Sequence, residues 1–142
     1  MNRLIALVFT TLLFCTPLIS HAKAIISSES DFQCLMWAVY KESRGEPVKA
    51  QRAVLDTIQH RMKTKKKTAC QVLKESCQFP YFKYGIKKVD KEWLTKYLGL
   101  YNMEPVLRDS RYVFFNDKKF SWGTGHVRIG KLWFSRLKEN RK

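Results

Sequence analysis

The sequence predicts a mostly helical α+β domain that ends in a small antiparallel β element. Amphipathic helical patterns fill the first part of the chain, and two β-prone runs, 112–115 and 129–134, follow them. Helices followed by paired strands are typical of α+β proteins. About 120 residues remain after the apolar N-terminal segment, which is the size of one domain.

The N-terminal segment 1–24 is interpreted as a secretion signal. Arg3 precedes the apolar run 4–14, and small residues at 20, 22 and 24 provide two cleavage sites. An uncleaved N-terminal anchor is the alternative, although the run is short for a membrane span. We therefore expect a signal peptide at 1–24, a single domain at 25–142, and a secreted or periplasmic protein.

The first helix is predicted from a capping pattern at Ser30 and Gln33 and extends to about Arg44. Its apolar residues recur with helical spacing on one face; they are Phe32, Leu35, Met36 and Val39. Gly45 is expected to end this helix in a left-handed conformation, and Pro47 is expected at the first position of the next helix.

The second helix is predicted from a further apolar stripe, which consists of Val48, Gln51, Leu55, Ile58 and Met62. The lysine-rich run 63–67 is expected to be a solvated turn. A short helix over 69–75, an aromatic loop at 81–85 and a helix over 90–103 follow. The segment 121–126 is expected to be a loop between the two β-prone runs.

Three cysteines remain if the signal is removed: Cys34, Cys70 and Cys77. Exported cysteines tend to oxidise, so we expect one disulfide and one buried thiol, with the pairing left open. No CxxC pair is present, and a metal site is not supported.

The formal net charge of +15 indicates a polyanionic partner. Anionic cell-wall polymer, an anionic membrane surface and nucleic acid all fit this charge. Export makes nucleic acid the weakest of the three, and we expect none to be bound.

Glu42 is the strongest candidate for chemistry. It follows Leu35 by seven positions and Val39 by three, so it lies along the buried stripe of the first helix. Loss of hydration would raise the pKa of its carboxyl, as general acid catalysis at neutral pH requires. The alternative is a glutamate at the rim of the domain, paired with Arg44 or a nearby lysine.

The order of several motifs resembles the SleB-like cell-wall hydrolase family. They are the Glu-Ser-Arg-Gly-Glu run that starts at Glu42, the helix from Gln51 to His60 and Arg61, the Gln78–Phe79 pair and the strand from Gly130 to Phe134. Membership would imply a lysozyme-related fold, cleavage of peptidoglycan glycan strands, and Glu42 as the acid/base group. His60 stands where the family usually has Asn, and Ser43 where it has Ala.

The resemblance implies cleavage of the MurNAc–GlcNAc bond without a cofactor, by a monomer associated with the cell wall. One carboxyl suffices for a lytic transglycosylase, whereas a muramidase-type hydrolase needs two. Glu46 is the second candidate, and capping of the second helix is its alternative role. A bacterial wall-remodelling role and a phage lysis role both fit.

Four further side chains are candidates for substrate binding with Glu46: Gln78, Tyr81, Tyr84 and Trp122. Their alternatives are a backbone-bonded amide for Gln78 and core packing for the aromatic rings. Gln51 is expected to be a buried amide bonded to backbone, with support of Glu42 as the alternative. Two rival functions are a non-catalytic cationic protein that binds the wall or a membrane, and a zinc amidase, for which only His60 and His126 are available as histidine ligands after residue 24.

Overall fold

The computed structural model describes residues 29–75 and 79–138, with four α-helices, one short 3-10 helix and three strands. The helices are α1 (Glu29–Ser43), α2 (Val48–Lys65), α3 (Ala69–Glu75) and α4 (Lys91–Asn102), with the 3-10 helix at Pro80–Tyr84 between the last two. The strands are β1 (Tyr112–Asn116), β2 (Thr124–Ile129) and β3 (Leu132–Arg136). The predicted α+β class is therefore confirmed.

The strands form one antiparallel sheet in the order β1-β3-β2, with β3 in the centre. A strand pair was predicted, and the third strand was missed because the segment expected to be a loop contains the start of β2 at Thr124. The predicted run 129–134 is also interrupted by a tight turn at Gly130 and Lys131. Gly130 has a φ of 63°, which its missing side chain permits.

Helix α2 is the centre of the helical layer, since it packs against the other three helices and against β1. Small residues Ala50 and Ala53 are fully buried and allow the neighbouring backbones to approach closely. A buried ion pair between Arg52 and Asp56, 2.9 Å apart, lies on the same helix. Arg52 donates to the carbonyl oxygen of Leu100 at 2.7 Å, so α2 holds the end of α4.

A disulfide between Cys34 and Cys70 joins α1 to α3, with 5.3 Å between the two Cα atoms. The sequence predicted one disulfide but not which cysteines form it. Cys77 lies outside the described residues, and so does the segment 1–24 on which the signal and anchor predictions fall. Within the described ranges, no helix combines the length and the apolar character that crossing a membrane requires.

The connection between α1 and α2 differs from the prediction. Gly45 does not have a positive φ, so the expected left-handed stop is wrong. The chain turns instead through a backbone hydrogen bond from the Glu46 N–H to the Ser43 carbonyl at 2.9 Å, followed by an extended Pro47. The predicted cap at Ser30 is also wrong, because α1 already includes Glu29. Pro47 lies just before α2 and not at its first helical position.

Candidate active site

Glu42 lies in the last turn of α1, where the helix faces the core. Val39 in the preceding turn is fully buried, and the Ser43 hydroxyl donates to its carbonyl oxygen at 2.7 Å. The carboxyl of Glu42 is half-buried, and this burial raises its pKa above the ordinary 4.5. Tyr81, Arg61 and Lys41 each act in the opposite direction, but burial is the larger effect.

Tyr81 approaches Glu42 from the 3-10 helix. Its ring packs edge to face against Phe79, 6.2 Å between centroids. The buried hydroxyl has no partner at full hydrogen-bonding geometry among the described residues, yet its looser interaction with the Glu42 carboxyl affects the pKa of both groups. Burial and the Glu42 charge raise the pKa of Tyr81, so its hydroxyl stays protonated and points a donor at the carboxyl.

Arg61 supplies a buried positive charge from α2. Its guanidinium lies against the rings of Phe79 and Phe114, at 5.6 Å and 5.7 Å from their centroids, and its Nε donates to the carbonyl oxygen of Val113. Burial lowers the pKa of Arg61 to about 10, and the neighbouring Glu42 charge raises it. Arg61 therefore remains charged at neutral pH and attracts the ionised form of Glu42.

Arg61 was not predicted to be a functional residue, although two signals were present in the sequence. It follows Ile58 by three positions on the buried face of α2, and it closes the helix motif that resembles the SleB-like family. A charged residue on an apolar face is rarely buried unless it has a partner. Its partner, Glu42, is on another helix, so periodicity within α2 alone could not identify the pair.

A cavity of about 570 Å³ is connected to Glu42 through two of its lining residues; we call it the aromatic–basic cavity. Tyr81 and Lys41, which both act on the Glu42 carboxyl, form part of its wall. Its remaining lining residues are Trp37, Tyr40, Arg44, Tyr84, Gly85, Lys87, Lys88, Val89 and Asp90. The structure thus places the predicted Tyr81 and Tyr84 on one cavity, and Tyr81 connects that cavity to the predicted acid.

Trp122 lies elsewhere, on a second cavity of about 370 Å³. Its ring is 48 % exposed and is held by edge-to-face contacts with Phe114 and Phe120, whose centroids are 4.7 Å and 4.9 Å away. Arg61 also lines this second cavity, whereas Tyr84 lines the aromatic–basic cavity, so the two aromatic residues lie on different cavities. Gln78 falls outside the described residues.

Glu46 is not directed at the helix that it was expected to cap. Its carboxylate accepts a hydrogen bond at 2.8 Å from the backbone N–H of Lys131, in the turn between β2 and β3. Pro47 precedes α2 without a side-chain cap, so the capping alternative for Glu46 is wrong. The backbone carbonyl of Glu46 accepts from the Gln51 amide at 2.6 Å, which confirms Gln51 as a buried amide bonded to backbone.

The histidines take part in local packing. His60 has its Nδ1 atom 2.9 Å from the carbonyl oxygen of Tyr112, and His126 packs against Phe120. In the part of the chain that the structure describes, no three His, Cys, Asp or Glu side chains are grouped so that they could hold a metal ion.

Comparison with known proteins finds no matching family model, curated protein or solved structure. The resemblance to the SleB-like family therefore depends on the sequence motifs alone.

Proposed function

We propose that this protein cleaves the MurNAc–GlcNAc bond of peptidoglycan as a lytic transglycosylase, with Glu42 as its single acid/base group. The observation that carries the proposal is a half-buried carboxyl whose pKa is raised and which interacts with Tyr81, a residue that lines a cavity together with other aromatic rings. A raised pKa increases the protonated fraction of the carboxyl at a given pH, and general acid catalysis needs that protonated form. Aromatic rings provide the flat apolar faces on which sugar rings pack.

The residues around Glu42 suit both halves of an acid/base cycle. Glu42 first donates its proton to the glycosidic oxygen, and the bond to the muramic acid C1 breaks as GlcNAc leaves. The carboxylate formed is stabilised by the Arg61 guanidinium and by the Tyr81 hydroxyl. Glu42 then accepts the proton of the sugar's 6-hydroxyl as that oxygen bonds to C1, which yields a 1,6-anhydromuramoyl end and restores the acid.

A single-carboxyl mechanism is favoured because the neighbouring acids are engaged elsewhere. Glu46 holds the backbone of Lys131 in the β2–β3 turn. Asp90 lines the aromatic–basic cavity, but its carboxylate caps α4 by accepting from the Trp93 N–H at 2.7 Å. An ordinary glycoside hydrolase needs a second carboxyl across the bond. A muramidase would have to release one of these acids from its backbone partner.

The proposal includes the SleB-like assignment, a lysozyme-related arrangement of the helices and sheet, and action at the cell wall after export. The motif order supports it, since Glu42 lies in α1, Gln51 to Arg61 in α2 and Leu132 to Phe134 in β3. The rival is a non-catalytic cationic protein that binds the wall or an anionic membrane surface. The exposed lysines between Lys63 and Lys67 favour that rival, because they present positive charge without any catalytic group.

Replacement of Glu42 by Gln separates these functions. The amide keeps the shape of the side chain but cannot donate a proton, so peptidoglycan solubilisation should fall by at least about a hundredfold. Glu92→Gln, on the exposed side of α4, is the control with the same change of charge and should retain activity. Full activity of Glu42→Gln would remove Glu42 from the mechanism.

Mass spectrometry of the digested wall identifies the reaction. Anhydro ends are expected for a transglycosylase, whereas reducing ends would indicate a muramidase. An equal loss of activity in Glu46→Gln together with reducing ends would point to two catalytic carboxyls. Glycan strands left intact by the native protein would favour the non-catalytic rival.

A further inference from the structure

The aromatic–basic cavity carries more positive charge than glycosidic chemistry requires. Among the described residues, four cationic side chains line it: Lys41, Arg44, Lys87 and Lys88. The one acid among those lining residues, Asp90, is occupied as the cap of α4. The cavity therefore favours a ligand that carries negative charge.

Two of these cations are held against aromatic rings. The Lys41 Nζ atom lies 5.4 Å from the Trp37 ring centroid and 5.5 Å from that of Tyr81. The Arg44 guanidinium lies 5.1 Å from the Tyr40 centroid, and its Nη1 donates to the Tyr40 hydroxyl at 2.8 Å. Cation–π contacts and this hydrogen bond fix the charged groups at the cavity wall. Aromatic rings and fixed positive charges thus lie side by side on the wall of one cavity.

We propose that this cavity binds the carboxylate-bearing side of muramic acid, either its lactyl group or the peptide stem attached there. The assignment of ligand rests on the proposed function, in which the muramic unit carries the bond that Glu42 cleaves. A sugar ring or an alanine methyl group packs on the exposed ring of Tyr84, which lines the same cavity, while the carboxylates face the lysines and Arg44. Lys87 and Lys88 then select muramic acid over neutral GlcNAc at this position.

Two other ligand classes fit the wall less well. A neutral GlcNAc oligomer would use the aromatic surface but leave the cations without an anionic partner. A glycerol-phosphate polymer would pair with the cations but offers no flat apolar face to the exposed ring of Tyr84. A sugar with carboxylates satisfies both kinds of group on one surface.

The test measures ligand binding by protein that carries Glu42→Gln, so that no probe is cleaved. Titration calorimetry at low ionic strength would compare a disaccharide with its peptide stem, the same disaccharide without the stem, and a GlcNAc dimer. We expect the stem-bearing probe to bind most tightly and the neutral dimer most weakly. Equal affinity for the two charged probes would assign the site to the lactyl carboxylate. Equal affinity for all three, or displacement by glycerol phosphate at similar concentration, would overturn the proposal.

The double variant K87Q/K88Q tests the selecting residues in the same background. It should weaken binding of the stem-bearing probe by roughly tenfold, since each exposed charge pair contributes up to about 1 kcal/mol, and leave the neutral dimer unaffected. K118Q/K119Q, in the exposed turn after β1, removes the same charge and should bind like its parent. Melting temperatures of both doubles establish that they fold. An equal loss of affinity in the two double variants would mean that net charge alone causes the effect, and it would overturn the proposal.

These outcomes are separable from those of the proposed function. Selective binding that depends on Lys87 and Lys88, in a protein whose Glu42→Gln variant still solubilises the wall, would refute Glu42 as the acid and retain the binding site. Loss of solubilisation without any selectivity among the probes would retain the acid and refute this assignment.

Discussion

The pKa of Glu42 results from competition between burial and charge. One buried cation, one lysine at the cavity wall and a phenol donor all favour the ionised carboxyl, and burial still outweighs them. Because the folded pKa lies above the ordinary 4.5, the folded protein binds more protons than the unfolded chain just above that pH. Stability from this group is therefore complete at low pH and decreases as pH rises from 4.5 to the raised value. The ionised form of Glu42 therefore lowers the stability of the fold, as is expected of a buried proton donor.

Tyr81→Phe tests which group controls that pKa. The Tyr81 hydroxyl lowers the pKa of Glu42, so its removal should raise that pKa further. Activity that needs protonated Glu42 declines above its pKa, and the alkaline limb of the rate profile should therefore move to higher pH. The measurement is the wall-lysis rate as a function of pH.

Tyr84→Phe is the matched control, because Tyr84 is 76 % exposed and does not act on the Glu42 carboxyl. Its alkaline limb should coincide with that of the parent protein. A limb that moves to lower pH in Tyr81→Phe, or that moves equally in both variants, would contradict the assignment of Tyr81 as the donor facing Glu42.

Single residues of the site could be predicted from the sequence where the signal was local. The position of Glu42 on a buried stripe follows from helical spacing, and its raised pKa agrees with that placement. The contact between Glu46 and the Lys131 N–H joins residues 85 positions apart, and no local pattern encodes it. Trp122 was grouped with Tyr81 and Tyr84 by residue type, whereas the fold places it on another cavity.

Whole helices were predicted well and strands poorly, for a physical reason. The predicted helix 69–75 matches α3, and the predicted 90–103 contains α4, because helical contacts are local. Strand β2 contains Gly125, His126 and Arg128, so its composition resembles a loop. It becomes a strand because β3 pairs with it, from Thr124 opposite Arg136 to Ile129 opposite Leu132. Pairing of this kind depends on context more than on intrinsic propensity.

Substitution of two glycines near the site should change the stability of the protein to different extents. Gly130 has a φ of 63°, and a methyl group there would collide with the Glu46 carboxylate and crowd Pro47. Gly130→Ala should therefore lower the free energy of unfolding by roughly 1–2 kcal/mol for the backbone strain alone. It should also loosen the contact between the β2–β3 turn and the α1–α2 connection.

Gly45→Ala is the control, since Gly45 lacks a positive φ and its missing Cβ would meet no atom within 4 Å. We expect its stability to stay within about 0.5 kcal/mol of the parent protein, as for most surface substitutions. Denaturant unfolding of the two variants provides the comparison. A larger loss in Gly45→Ala than in Gly130→Ala would mean that the described turn geometry is wrong.

At the scale of the whole molecule, the Cys34–Cys70 disulfide and the lysine-rich run 63–67 belong to the same part of the chain. The disulfide closes a separation of 36 residues that contains most of α1 and all of α2. It thereby restricts the unfolded chain in the segment that carries Glu42 and Arg61. The lysine-rich run 63–67 lies inside this closed loop, at the end of α2. In the proposed function, adhesion to the wall and cleavage would thus be carried by neighbouring parts of one covalently closed unit.

The net charge of +15 should make wall lysis sensitive to salt. Exposed charges are screened over roughly 10 Å at about 0.1 M salt, so lysis of insoluble wall should slow as salt rises. Lys65 and Lys67 contact Glu75, but both remain more than 40 % exposed, and such surface pairs contribute little to stability. The triple variant K65Q/K66Q/K67Q should therefore fold normally, bind wall more weakly and show a flatter dependence of lysis on salt.

A soluble substrate provides the internal control for the triple variant. Cleavage of a short soluble glycan at the Glu42 site does not require adhesion to a charged surface, so the triple variant should cleave it at the parental rate at every salt concentration. An equal loss on soluble and insoluble substrate would mean that the lysines act on the catalytic site itself. The expected turn does not cover the whole run 63–67, because α2 continues to Lys65. A salt dependence of wall lysis identical to that of the parent would mean that Lys65, Lys66 and Lys67 only form a solvated surface at the end of α2, and that the adhesive charge lies elsewhere on the molecule.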